Sequence, residues 1–312
     1  LGAGKDISMR DVDVTVLVQP EHAGQIARHF RATCAALFFY GLWFGEYPYE
    51  HITVVDPAWG AGGAVGMEYP TLFTCGTRLY TTEDMHTPEG VTVHECGHQF
   101  WYGLVGNNEF ESAWLDEGFN SFTDSEVMWR VFGAQRNTTS YSGIPFDGVP
   151  LVALPGASNT SKLLTAQRLP LPWLGAVTPL HASGLLDLWR DQPWLAFVPQ
   201  RTDPRWHDRS RYLLDPDTDP IDTAGWQYAD RRSYGTNSYS RTAVALRTLR
   251  SVVGPEAFLR GMRQYSEAWR YRHPGPDDFF TTFQAGAQVD VGWYFQELFR
   301  GTGGVDWSVA VT

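Results

Sequence analysis

The segment His94-Glu95-Cys96-Gly97-His98 constrains this chain more than any other stretch. On a helix, histidines at i and i+4 sit about 40° apart around the axis, so both rings project from one face. That spacing suits one zinc ion, with Glu95 on the neighbouring flank, where its carboxylate reaches a metal-bound water. Glu117 follows within Trp114-Leu115-Asp116-Glu117-Gly118-Phe119. If the next helix folds back antiparallel, this carboxylate becomes the third protein ligand. An H-E-x-x-H arises by chance in roughly one chain in a hundred, and Glu at this one offset lowers that below roughly one in a thousand. Two His and one Glu leave a coordination position for water, which is a catalytic arrangement; a closed structural site takes four protein ligands, usually including Cys. Cys96 lies elsewhere around the helix and reads as core.

The pattern around this pair of helices is α+β, strands first and helices after. Residues 12–18 alternate and are β-branched, residues 52–55 repeat the signal, and residues 67–74 read as a third strand. Pro20-Glu21 opens a helix expected to run to Phe44, closed by Gly45 and Pro48. Gly60-Ala61-Gly62-Gly63 is a flexible loop. Thr87-Pro88-Glu89 starts the helix of the histidine motif, expected to reach Gly103, and the next helix spans about 115–130. Residues 137–222 are proline-rich with few periodic runs, apart from an amphipathic patch at 185–189, and read as an irregular, partly helical insertion. After Ser238 the helical period returns, with Gly254-Pro255 separating two helices and Pro276-Asp277-Asp278 opening another. A last helix covers about 291–299.

Composition narrows the function classes. The chain has 312 residues and a net charge of −11, which excludes a general nucleic-acid binder. No apolar run approaches the roughly 20 residues of a membrane-spanning helix. The 13 Trp and 14 Tyr imply a well-packed interior or a peptide- or carbohydrate-lined cleft. Cys34, Cys75 and Cys96 are an odd set with no C-x-x-C, which reads as small buried hydrophobes rather than a disulfide framework. The chain opens on Leu1 without a signal-peptide pattern, so localisation is not legible from its start. The acidic, Arg-rich, cysteine-poor composition suits an extracytoplasmic bacterial protein.

H-E-x-x-H followed by Glu in a W-L-x-E-G-F context resembles the gluzincin aminopeptidases, the family of aminopeptidase N and leukotriene hydrolase. The resemblance runs from about Val12 to Val309 and implies a thermolysin-like zinc metallopeptidase catalytic domain followed by a mainly helical lobe. It implies zinc ligands His94, His98 and Glu117, with Glu95 as general base. The family's G-x-M-E-N stands here as Val65-Gly66-Met67-Glu68-Tyr69, which implies a substrate-binding strand Gly66-Met67-Glu68 with Glu68 on the free α-amino group. The family's oxyanion tyrosine matches Tyr239, ahead of Leu249 to Phe258, with Tyr234 and Tyr228 as rivals. Asp124, seven residues after Glu117, matches a carboxylate that orients a zinc-ligating histidine.

The organisation implied is a remnant of a β-rich domain at 1–10, an α/β catalytic lobe at 11–135, the insertion at 136–225 and a helical lobe at 226–312. The expected activity is zinc-dependent removal of single residues from peptides with a free N-terminus. The alternatives are a zinc endopeptidase or other hydrolase of this fold, and a non-catalytic peptide-binding relative.

Overall fold

A computed structural model describes residues 9–61, 64–77, 85–136, 138–141, 144–147, 149–150, 197–198, 201–213 and 215–303. The expected remnant at 1–10 and the insertion at 136–225 lie largely outside the described residues, and the patch at 185–189 lies wholly outside them. The chain falls into two compact units, one of residues 1–79, 87–133 and 204–312, the other of residues 80–86 and 134–203.

The first unit begins with strand β1 (Asp13–Val18), which pairs in parallel with β2 (His51–Asp56), Val14 opposite Ile52. Parallel neighbours need a crossover, and helix α1 (Ile26–Phe44) supplies it. The helix expected from Pro20 begins later, because Pro20–Gln25 forms a tight 3-10 turn first. Gly45, at φ 108°, ends α1 in a conformation that favours glycine.

The single strand expected over 67–74 is a hairpin instead. Strand β3 (Gly66–Met67) and strand β4 (Leu72–Cys75) pair antiparallel, and β4 extends the parallel sheet in the order β1-β2-β4-β3. Pro70 lacks an N–H for a ladder and Thr71 takes φ 60°, so the chain reverses there. The short β3 becomes the sheet edge.

Helix α2 (Thr87–Gly97) carries the histidine motif. It stops short of Gly103 because a tight turn follows, with Tyr102 at φ 93° and the Gly103 N–H donating to the His98 carbonyl at 2.8 Å. After the short helix Glu109–Ser112 comes α3 (Glu117–Val131). The rest of the unit is helical: α4 (Pro204–Tyr212), α5 (Thr242–Val253), α6 (Pro255–Trp269), α7 (Pro276–Ala287) and α8 (Gly292–Leu298). A π turn, Thr236–Arg241, leads into α5.

The aromatic residues form the core of this helical part. Phe119 of α3 packs within 4.7 Å of Phe279, 5.3 Å of Trp101 and 5.8 Å of both Trp114 and Tyr265, centroid to centroid. All five are essentially buried. Truncating such a residue to Ala costs about 3–5 kcal/mol, so this cluster fixes where α3 sits. Cys75 and Cys96 are buried, whereas Cys34 is exposed on α1, which corrects the expectation of three buried thiols; all three are free. In the second unit, Gln135–Arg136 pairs with Arg201–Thr202, Thr138–Tyr141 with Ile144–Asp147, and Val149–Pro150 with Phe197–Val198, all antiparallel. The described fold is mixed and helix-rich with small sheets. No helix among the described residues is long and apolar enough to cross a membrane.

Candidate metal centre

Two glycines let the elements of the site approach. A Cβ on Gly97 would fall 2.0 Å from Asn120 Oδ1 and 2.2 Å from the Tyr40 hydroxyl. Through that gap the Asn120 amide donates to the His94 carbonyl at 2.6 Å, and the Tyr40 hydroxyl donates to Asn120 at 2.6 Å. This buried relay ties α1, α2 and α3 together. A Cβ on Gly118 would meet Thr242 at 2.3 Å and the Ser238 carbonyl at 2.7 Å. Glycine there brings the π turn against the start of α3, so Tyr239 stands beside Glu117. π turns recur at functional sites because they re-aim a side chain inside a helix.

The two histidines and Glu117 meet as a triangle. His94 Nε2 lies 3.2 Å from His98 Nε2, and each lies 3.3 Å from Glu117 Oε2. Bonds of about 2.05 Å to a tetrahedral ion place donor atoms about 3.3 Å apart. The other ring nitrogens are taken: His94 Nδ1 meets Asp124 Oδ2 at 2.7 Å and His98 Nδ1 meets Asp116 Oδ1 at 2.6 Å. Such partners fix the proton on Nδ1 and leave Nε2 a bare lone pair. The set is therefore built for a cation, and its N2O chemistry fits zinc with one of four positions lacking a protein donor.

The surrounding carboxylates draw positive charge, a proton or a cation, to the triangle. Burial opposes the charge on His94, yet hydrogen bonds to Asp124 and Glu117 push it up to about 10. Burial likewise opposes charge on His98, and Asp116 and Glu117 hold it well above the ordinary range. Against burial, the two histidines hold Glu117 below the ordinary carboxylate range.

Glu95 is on the flank of the triangle and is buried. Burial first, then Glu68 and Glu117, push its carboxyl up to about 7 against the histidines. A Cβ on Gly66 would lie 2.5 Å from Glu95 Oε1, so that glycine lets the edge strand close over this carboxylate. Met67 is partly exposed on the same strand, and Glu68 follows it. A Glu68 oxygen, a His98 ring nitrogen and an Asp116 oxygen lie within 4.8 Å of one another.

Among the three tyrosines, Tyr239 is the one that touches the triangle: its hydroxyl donates to Glu117 Oε1 and its ring stacks 6.2 Å from His94. Burial and Glu117 raise its pKa, so it remains a donor. The Tyr228 hydroxyl donates to the Ile221 carbonyl at 2.8 Å, and Tyr234 packs edge-on against Tyr228. Sequence reasoning missed Asp116, for which a carboxylate directly before Glu117 was the available signal.

No family model matches the chain. A leukotriene A-4 hydrolase homolog of Botryotinia fuckeliana is 32% identical over 102 residues, which is 31% of this chain and 15% of that protein. The M1 zinc metallopeptidase of Deinococcus radiodurans superposes with a TM-score of 0.51 at 17% identity, covering 91% of this chain and 46% of that one. Aminopeptidase A of Legionella pneumophila superposes with a TM-score of 0.57 at 13% identity, covering 91% of this chain and 26% of that one. The chain thus spans less than half the length of each solved structure, and the curated match covers a smaller share still. The sequence match over about a third of the chain, the shared fold and the histidine–glutamate centre all make this chain similar to zinc aminopeptidases and leukotriene A-4 hydrolase homologs.

Proposed function

We propose that this chain carries the catalytic centre of a zinc-dependent aminopeptidase that hydrolyses the N-terminal peptide bond of peptides. The observation that carries the reading is the His94–His98–Glu117 triangle with Glu95 and Tyr239 beside it. His94, His98 and Glu117 would hold the zinc, which when bound supplies Lewis acidity that activates water and polarises the scissile carbonyl. Asp124 and Asp116 keep both histidines in the tautomer that presents Nε2.

Glu95 takes the proton of the attacking water on its carboxylate and passes it to the leaving amine. A carboxyl pushed up to about 7 is a stronger base than a solvated glutamate, which suits that exchange near neutral pH. The Tyr239 hydroxyl exchanges its bond to Glu117 for one to the developing oxyanion. Glu68 pairs with the substrate's ammonium, which measures one residue from the chain end. The finer architecture we propose is a thermolysin-like catalytic lobe, with the helices after residue 226 bringing Tyr239 to it.

Hydrolysis of fluorogenic aminoacyl amides, free and N-acetylated, with and without a chelator, tests this reading. The free amines are expected to be cleaved, the chelator to stop cleavage and added zinc to restore it. Preference for the acetylated substrates would make the enzyme an endopeptidase, and chelator-resistant turnover would overturn the zinc mechanism.

A further inference from the structure

His98 stands one residue past the end of α2, and a single backbone bond ties it to His94. The His98 N–H donates to the His94 carbonyl at 3.3 Å. Just beyond, the bonds become those of a tighter turn, Gln99 N–H to the Cys96 carbonyl at 3.1 Å and Phe100 N–H to the Gly97 carbonyl at 2.9 Å. The regular helical ladder therefore gives out at the second histidine. Its Nε2 must nonetheless stay 3.2 Å from that of His94. Two lone pairs and a carboxylate oxygen facing one another repel until a cation or a proton enters, so the spacing has to be held from outside α2. Asp124 and Asp116 hold the ring Nδ1 atoms, and the backbone that carries the rings needs its own anchor.

The Asn120 side chain is placed as that anchor. Its amide N–H donates at 2.6 Å to the His94 carbonyl, the same carbonyl that receives the His98 N–H. A carbonyl only accepts, so the NH2 group faces His94 and the amide oxygen faces the Tyr40 hydroxyl, which donates at 2.6 Å. This leaves the amide one orientation. Both residues are fully buried, so neither bond competes with solvent. Asn120 lies three residues after Glu117 on α3, on the same helical face. One side chain thereby links the turn that carries the third ligand to the carbonyl shared by the other two. Gly97, without a Cβ, leaves the gap for it.

Resting on the reading of His94, His98 and Glu117 as the metal-holding set, we propose that Asn120 is a positioning residue. Through the His94 carbonyl, and locked by Tyr40, it holds the two histidines at the spacing a metal ion requires before the ion arrives. Preorganisation of this kind is expressed in metal affinity and coordination geometry as well as in stability.

The test measures zinc affinity by competition with a chelator, and the visible d–d absorption of the cobalt(II)-loaded chain, on the folded fraction of Asn120→Ala, Tyr40→Phe and Met262→Ala. Met262 is fully buried on α6, which bears no residue of the site, and its truncation destabilises the core alone. Asn120→Ala is expected to weaken zinc binding about ten-fold and to alter the cobalt band, which reports coordination geometry. Tyr40→Phe leaves the amide but removes its lock, and should weaken binding about three-fold. Met262→Ala should keep the parent's affinity and spectrum. Parent values in Asn120→Ala overturn the inference, and so does an equal loss in Met262→Ala, which would make the effect one of stability alone. Should Asn120→Ala not fold, Tyr40→Phe decides, and parent values there overturn the inference. If the parent itself binds no zinc, the metal-centre reading fails instead.

Discussion

Two buried histidine–carboxylate clusters in the first unit use the same residue types in opposite senses. At the metal centre each histidine gives Nδ1 to a carboxylate of its own, and the two Nε2 atoms converge on Glu117. In the other cluster one carboxylate is the hub. Asp56 Oδ1 meets His22 Nδ1 at 3.0 Å and Oδ2 meets His29 Nε2 at 3.2 Å, while Thr77 donates its backbone N–H and its hydroxyl. His29 Nδ1 lies 2.7 Å from Thr92 Oγ1, and the Thr92 hydroxyl is 2.6 Å from the Pro88 carbonyl. The first cluster leaves nitrogen lone pairs facing one another, which only a cation or a proton reconciles. In the second the imidazoles and Thr77 converge on one carboxylate, with His22 Nε2 alone left buried without a partner, and the cluster braces β2, α1 and the start of α2. Histidine and aspartate in proximity therefore do not make a metal site; the direction of the lone pairs does.

The comparison breaks if substitutions at the two clusters have the same consequence. The largest effect belongs to Glu95→Gln, expected to lower kcat by about 10³-fold with zinc still bound, measured by turnover and metal content together. Tyr239→Phe should lose about 10²-fold in kcat with a nearly unchanged KM, which steady-state kinetics on one amide will read. At the brace, Asp56→Ala leaves His22 and His29 buried without their carboxylate. It should cost about 3–5 kcal/mol in chemical denaturation while zinc stoichiometry in the folded fraction is retained. Asp124→Ala should weaken zinc binding about 10- to 100-fold by competition with a chelator and leave the denaturation midpoint of the metal-free protein near the parent's.

A smaller effect separates the clusters by pH. Burial would raise the Asp56 carboxyl, but hydrogen bonds from His29 and Thr77 outweigh it and hold it below the ordinary range. The folded chain then takes up this proton less readily than the unfolded one. The stabilisation is complete above about pH 4 and is lost as pH falls through the lower folded value. Denaturation curves of the parent and Asp56→Asn should converge as the pH is lowered; a constant gap would contradict the role of the ionised carboxylate.

The i, i+4 histidines and the following Glu117 were legible because a helix converts spacing into direction. Parallel strands at 13–18 and 51–56 were legible from β-branched alternation. The hairpin at 66–75 was not, since Met67, Tyr69, Leu72 and Phe73 read as one strand across Pro70, and the positive φ of Thr71 has no sequence signature. The π turn at 236–241 has no periodic signature, because its one extra residue is absorbed by packing against Gly118. Asp116 escaped notice because it lies in the turn just before α3, outside the helix period, and its side chain meets His98. The Asp56 cluster assembles residues up to 70 positions apart, from His22 to Thr92, and no local pattern announces it.

Zinc titration of the metal-stripped chain by calorimetry tests the central claim most directly. One ion per chain is expected for the parent and for Glu95→Gln, with binding lost in Glu117→Ala. Absence of binding in the parent, or undiminished binding in Glu117→Ala, would contradict the assignment of His94, His98 and Glu117 as the metal-holding set.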